Sequence, residues 1–250
     1  MRNFTLRKGF LESKCGTRSS FKGFVMLVVM MLMTASSAMA QEAKFEVIDG
    51  LRYLLDTGTK TATLMPKTDG LYSGDIIIPE KVKGNDGVEY VVTLLGASCF
   101  SGCWGLTSIT IPPLVTSLGL GCFSGCSGLT SITIPSSVTS LGWWCFSYCS
   151  GLTSVTIPSS VTSLGYDCFS DCKNLETVYF KGKKCDSNYK DLKIPTTSII
   201  KVPKEYLQEY KEAFGSDYQY IFAWNPDEQE KITSQLLHAP LHPFLTNQES

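Results

Sequence analysis

The residues of this 250-residue chain best suited to chemistry are its ten cysteines. Eight fall into two columns: Cys99, Cys122, Cys145 and Cys168, and Cys103, Cys126, Cys149 and Cys172. Four C-x-x-x-C pairs therefore recur at a step of 23 residues. Thiol pairs at such spacing ligate zinc when they converge from different elements. In an exported chain they also form disulfides. A small buried side chain fits the pattern better. Equivalent positions in stacked coils lie ~4.8 Å apart and point in parallel, so their Cβ atoms stay near 5 Å, against the ~3.5–4.5 Å of a disulfide. We expect free, buried thiols and no metal. Cys185 stands outside both columns, and Cys15 precedes them.

Catalytic chemistry has less to work with. The two histidines, His238 and His242, lie in a polar tail, whereas a nucleophilic triad needs an imidazole fixed against its partners. The phosphate-loop, nucleophile-elbow and zinc-protease motifs are absent. Asp167 and Asp171 have the spacing of a carboxylate pair that could serve glycoside hydrolysis, but two solvated charges near a turn is the simpler reading. We expect no catalytic residue, no cofactor and no enzyme.

The elements that carry the cysteines follow from the same period. C-F-S-x-C-x-x-L-x-S-h-T-I-P starts at Cys99, Cys122 and Cys145, and again, degraded, at Cys168. A step of 23 predicts an α/β-type solenoid of leucine-rich-repeat coils. In the coil from Leu118 to Leu141, Cys122, Phe123, Cys126 and Leu129 read as the inward stripe of a short helix or helical turn. Leu129, Ile132 and Ile134 read as a short parallel strand with Thr133 facing out, stopped by Pro135. Val138 and Leu141 make a second short inward piece. One coil buries too little to offset its own ordering, so neighbours and end caps are required.

Boundaries follow. Residues 1–40 read as a signal peptide, with a basic n-region, an apolar run from Phe24 to Thr34 and an Ala38-Met39-Ala40 cleavage site. Residues 41–75 read as an N-terminal β cap, with an Asp49-Gly50 turn. Residues 76–202 are the repeat solenoid. Its first coil carries about ten extra residues, placed in the polar stretch around Gly84–Tyr90, since Pro79 and Pro112 are 33 apart. Residues 203–225 are the C-terminal cap helix and strand, with Tyr206, Leu207, Tyr210 and Phe214 on one helix side and Gly215 ending it. Residues 226–250 are expected to be a loosely ordered tail.

L-T-S-I-T-I-P-S-S-V-T-S-L-G at 129–142, followed by the C-F-S-x-C block, closely resembles the BspA-like leucine-rich repeats of bacterial surface and secreted proteins. V-P-K-E-Y-L-Q-E-Y-K-E-A-F at 202–214 is similar to the family's terminal cap. The common A-F-x-x-C block of that family has cysteine here in place of alanine at residues 99, 122, 145 and 168. The resemblance covers roughly 70–225. It implies adhesion or binding to host proteins or other cells, and no catalytic residues.

Charge narrows the partner. The whole chain carries 22 basic and 23 acidic residues. Removing 1–40 takes six of the basic and one of the acidic, leaving 16 against 22, a net charge of −6 with Arg52 the sole arginine. Nucleic-acid binding needs clustered cations and is not expected. Nor is a membrane span in the exported chain, because the apolar run near the start is short. From Val91 to Tyr166 there is no Asp, Glu, Lys, Arg or His, so the array must present hydroxyls and aromatics.

Specificity in a repeat array sits where the coils differ. The pair before each first cysteine is Ala97-Ser98, Leu120-Gly121, Trp143-Trp144 and Tyr166-Asp167. The residue before each second cysteine is Gly102, Gly125, Tyr148 and Asp171, and the one after it is Trp104, Ser127, Ser150 and Lys173. Trp104, Trp143, Trp144, Tyr148 and Tyr166 are therefore the candidate partner-binding residues. Two adjacent indoles on a turn cannot both face the core. Thr110, Thr133, Thr156 and Tyr179, on the sheet, are a second candidate face. The function expected is a non-catalytic, secreted or cell-surface binding protein for a protein or cell-surface ligand. Alternatives are a structural spacer in a larger surface assembly, or a glycan-binding module working through the third-coil aromatics.

Overall fold

The side chains that repeat every 23 residues are also the ones that leave solvent. Leu118, Leu141 and Leu164, Leu106, Leu129, Leu152 and Leu175, and Val115, Val138 and Val161 are all buried. So are the eight column cysteines and Phe100, Phe123, Phe146 and Phe169. Burying such a set at ~1.5–3 kcal/mol per side chain drives the coiling. The computed structural model describes residues 44–185 and 187–225. The expected export signal, the C-terminal tail and both histidines lie outside the described residues.

Each coil turns three corners. On one side are the short strands β8 (Ser117–Leu118), β10 (Ser140–Leu141) and β12 (Ser163–Leu164). They pair in parallel, so that Leu118, Leu141 and Leu164 lie side by side. On a second side β9 (Ser131–Ile132), β11 (Ser154–Ile157) and β13 (Thr177–Phe180) form another parallel sheet, with Ser131, Ser154 and Thr177 in register. The alternation predicted for the second sheet is present: Ile132 and Ile134 are buried and Thr133 is exposed. The Val-Thr-Ser-Leu piece, expected only to face inward, is itself a strand of the first sheet.

The third side is the cysteine-bearing stretch, and it corrects the helical-turn expectation. Successive i to i+3 bonds run Cys122 N–H to Gly119 O, Cys126 N–H to Phe123 O and Leu129 N–H to Cys126 O. Left-handed residues interrupt them at Gly121 (φ 58°) and Gly125 (φ 77°), so no helix propagates. The left-handed residues aim alternate N–H groups along the stack instead. Phe100 N–H reaches Cys122 O at 2.7 Å, Phe123 N–H reaches Cys145 O at 2.8 Å and Phe146 N–H reaches Cys168 O at 2.9 Å. These rungs stack the phenylalanine rings, with centroids 5.3, 5.5 and 5.7 Å apart and planes within 9°.

At the N-terminal end β1 (Lys44–Ile48), β2 (Leu51–Asp56) and β3 (Thr61–Met65) pair antiparallel. β3 then joins β6 (Glu89–Leu95) in parallel, and β6 joins β8, so the hairpins extend the first sheet. The ten extra residues of the first coil are not simply a polar loop. They build β5 (Lys81–Lys83), paired antiparallel with β6 around a turn at Gly84–Val88. Tyr90 is buried there, donating to Asp86 Oδ2 at 2.6 Å; that bond, with desolvation, pushes its pKa up to about 12. β4 (Gly74–Ile77) pairs with β7 (Leu106–Thr110).

At the other end β14 (Ile199–Pro203) and β15 (Ile221–Trp224) add two parallel strands to the second sheet. Between them α1 (Leu207–Phe214), the only α-helix among the described residues, follows a 3-10 turn at Lys204–Tyr206. Its Tyr210 and Phe214 are buried against Phe180 and Tyr189, with ring centroids 5.0–6.1 Å apart. Tyr206 and Leu207 are only partly buried. A second 3-10 turn, Tyr189–Leu192, completes the cysteine face, because Asp191 O and Leu192 O accept from Asp167 N–H and Phe169 N–H.

Candidate functional site

The turn side is where the coils differ, and its backbone explains how. Four residues per column hold the same left-handed conformation whatever their type. One column is Ser98, Gly121, Trp144 and Asp167 (φ 54–58°); the other is Gly102, Gly125, Tyr148 and Asp171 (φ 58–77°). Glycine adopts this region without strain, whereas a bulky side chain pays for it. Trp144 and Tyr148 stand at such positions, at φ 56° and 59°.

Their side chains make an aromatic edge. Trp143 is 57 % exposed, Tyr148 60 % and Tyr166 45 %. Trp144 is partly buried, with its ring edge-on to Trp143 at 6.1 Å. Its Nε1–H donates to Asp167 Oδ2 at 3.3 Å. Trp144 N–H bonds Tyr166 O at 2.9 Å and Tyr148 N–H bonds Ser170 O at 2.7 Å, so the third and fourth coils are locked at this edge. Trp143, Trp144, Tyr148 and Tyr166 thus come together. Trp104 does not join them: it is 71 % exposed but belongs to the first coil, two rungs or ~10 Å away along the stack.

Of the second candidate face, Thr156 and Tyr179 pair in register on the second sheet, whereas Thr110 lies on β7, which pairs with β4 in a sheet of its own. Thr110 and Thr133 are exposed, and Thr156 and Tyr179 partly so. Tyr179 pairs with Lys201, and Lys201 with Phe222. Trp224 packs on Tyr179 at 5.0 Å, and Lys201 Nζ lies 5.2 Å from the Phe222 ring. Phe222 and Trp224 extend this face, and the sequence reading passed over them. The signal was the alternation in Ile221-Phe222-Ala223-Trp224, which marks an outward aromatic pair on a strand.

The chemistry of the other candidates is quiet. All nine described cysteines are free thiols. Burial pushes seven of them up: Cys99, Cys103, Cys122, Cys126, Cys145, Cys149 and Cys172. Such thiols are poor nucleophiles at neutral pH. In the second column Cys126, Cys149 and Cys172 donate to Phe100 O, Phe123 O and Phe146 O at 3.0–3.1 Å. Among the described residues no group of three or more His, Cys, Asp or Glu could hold a metal ion. Asp167 and Asp171 occupy different columns and do not bond each other; Asp171 Oδ2 accepts from Ser170 Oγ at 3.4 Å. An open cleft of about 380 Å³ between the 184–189 loop and α1 is lined by Lys184, Glu209 and Glu212. No described helix is long and apolar enough to cross a membrane.

Known proteins place this architecture. Residues 92–212 match the family described as BspA type leucine rich repeat region, in six copies. No curated protein matches the chain. Among solved structures, a leucine-rich repeat protein from Bacteroides capillosus is 27 % identical with a TM-score of 0.49, covering 55 % of this chain and 99 % of that one. The T. pallidum leucine-rich repeat protein is 16 % identical with a TM-score of 0.46, covering 68 % and 96 %. The pneumococcal vaccine antigen PcpA is 17 % identical with a TM-score of 0.51, covering 75 % of this chain and 49 % of that one. At that identity PcpA shows a shared fold, over about half of its own length.

Proposed function

From the chain's membership, over residues 92–212, of the BspA-type leucine-rich repeat proteins, we propose that it is a non-catalytic, exported binding protein. Its contact surface is the aromatic edge of the third coil, and its partner is a protein on a cell or surface. The observation that carries this reading is the placement of Trp144 and Tyr148. Both stand in the left-handed region where the preceding coil has glycine, and Tyr148 and Trp143 are more than half exposed. The exposed rings of Trp143 and Tyr148 bury little in the stack, whereas tryptophan and tyrosine dominate binding hot spots. Residues 1–40 serve as the export signal. The hairpins of 41–75 and the helix and strand of 203–225 act as caps, covering the two open ends of the core of 76–202.

The test is an array of purified proteins and glycans probed with the chain, each positive then repeated with the Trp143→Ala, Trp144→Ala variant. Loss of binding by at least about 30-fold with unchanged circular dichroism is expected, the scale of a tryptophan hot spot. A variant that binds as tightly as the parent would refute the edge and move the contact to the second candidate face of Thr110, Thr133, Thr156 and Tyr179.

A further inference from the structure

The geometry points to an arginine-bearing polypeptide segment as the occupant of the third-coil edge, an inference that rests on that edge being the contact surface. The edge is a grid of two rungs and three columns. The third coil supplies Trp143, Trp144 and Tyr148; the fourth supplies Tyr166, Asp167 and Asp171 in the same columns. The cross-coil bonds of Trp144 and Tyr148 hold each aromatic one rung, ~4.8 Å, from its counterpart. Two of the three aromatics therefore have a carboxylate as their neighbour along the stack.

Neither carboxylate has a cationic partner among the ion pairs of the described residues. Asp167 Oδ2 accepts the Trp144 indole N–H, while its Oδ1 is buried and receives no hydrogen bond. Asp171 is exposed, with only the Ser170 hydroxyl on Oδ2. The ion pairs of the described residues, Lys44–Glu46 and Lys81–Glu89, involve neither. No basic residue occurs from Val91 to Tyr166. Lys173, two residues past Asp171, is exposed and pairs with neither aspartate.

An indole that donates its N–H to a carboxylate has an electron-rich face, and such a face attracts cations. The same carboxylate has a second oxygen that is buried and accepts no hydrogen bond, and charge close to a partly buried ring is weakly screened. The guanidinium group answers both features. It is planar, weakly hydrated, stacks on aromatic rings and forks to a carboxylate such as Asp171. An ammonium is a compact, strongly hydrated point charge. A neutral sugar could stack on the rings but would leave the negative charge unbalanced.

The probe is a capped peptide with three arginines separated by glycine and serine, titrated into the full chain by calorimetry and tryptophan fluorescence. Parallel arms use the peptide with lysine, the peptide with citrulline (the same shape without the charge) and a neutral hexasaccharide. We expect the arginine peptide to bind at least about tenfold tighter than the citrulline peptide, and tighter than the lysine one. Asp167→Asn, Asp171→Asn should weaken it at least about tenfold with unchanged circular dichroism. If that variant does not fold, Asp171→Asn alone, on an exposed residue, takes its place. Glu209→Gln, Glu212→Gln, acids of α1 outside the edge, should leave binding intact. Equal binding of the citrulline peptide, or full binding by the aspartate variants, overturns the arginine assignment. Hexasaccharide binding that is lost in Trp143→Ala also overturns it but leaves the edge as the contact surface. Arginine-peptide binding that survives Trp143→Ala, Trp144→Ala overturns both.

Discussion

Tyr148 and Trp144 take backbone positions that Gly125 and Gly121 fill in the coil before. The left-handed region costs a bulky residue ~1 kcal/mol relative to glycine. Tyr148→Gly should therefore raise the urea midpoint by the equivalent of about 1 kcal/mol, even though it removes a ring; a lower midpoint would mean that the ring packs on the coil more than its exposure implies. The two cysteine columns differ in a way that the same kind of measurement resolves. Cys126 donates its thiol proton to Phe100 O, whereas Cys122, fully buried, donates to no backbone carbonyl. Cys126→Ser keeps a donor on that carbonyl, whereas Cys122→Ser buries a hydroxyl proton with no such acceptor. We expect Cys122→Ser to be the more destabilising by roughly 1–2 kcal/mol in equilibrium unfolding. The cysteine columns were plain in the sequence because identity repeats. The left-handed columns were not: Ser98, Gly121, Trp144 and Asp167 share a conformation and no residue type.

Elements here are held together by close approach as much as by burial. After each leucine of the first sheet comes a glycine, and a Cβ added at Gly142 would lie 2.5 Å from Gly119 C and Leu120 N. Backbone cannot yield as a flexible side chain can, so Gly142→Ala should cost about 3 kcal/mol or prevent folding. Gly50→Ala meets nothing within 4 Å and loses only what its positive φ demands, so thermal melts of the two variants should separate clearly. Around α1, Phe214 is fully buried and touches four other aromatic rings. Phe214→Ala should cost ~3–5 kcal/mol, with faster amide exchange in β14 and β15, which flank the helix. The helix and its buried face were legible from a 3.6-residue pattern and Gly215. The first sheet was not, because two-residue strands such as Ser140–Leu141 are too short to show a period of two. They exist only through pairing with equivalents 23 residues away.

For the molecule as a whole, the buried thiols set a pH limit. Burial raises seven of them above their ordinary value of 9.0. The folded chain keeps protons that the unfolded chain releases near pH 9, so the unfolded state binds fewer protons there and stability falls as pH rises. Under reducing conditions the urea midpoint should be flat from about pH 6 to 8 and fall through pH 9–10.5, with Tyr53, Tyr189 and Tyr210 adding to the fall above their ordinary 10.0. Cys122→Ala, Cys145→Ala should make that slope shallower; an unchanged slope would assign it to the tyrosines alone. The stacked architecture was readable from the period, since a fixed step in sequence becomes a fixed neighbour in space. The aromatic edge is readable only as residues that break the repeat; its carboxylate neighbours read as solvated charges, because one orphaned oxygen and one indole bond do not register in residue types.

The rungs also have a mechanical meaning. Each coil advances the stack by one strand spacing, ~4.8 Å, yet stores 23 residues, roughly 75–80 Å of extended chain. A load applied between the ends acts on every set of rungs in series, and the weakest set parts first, since a coil touches only its neighbours. The array then yields in steps, each releasing about fifteen times the length that the coil occupied. A contact made at the third coil would be cushioned by the coils through which it is loaded, which pay out length and dissipate work and so hold the force on the contact near the level at which a coil yields.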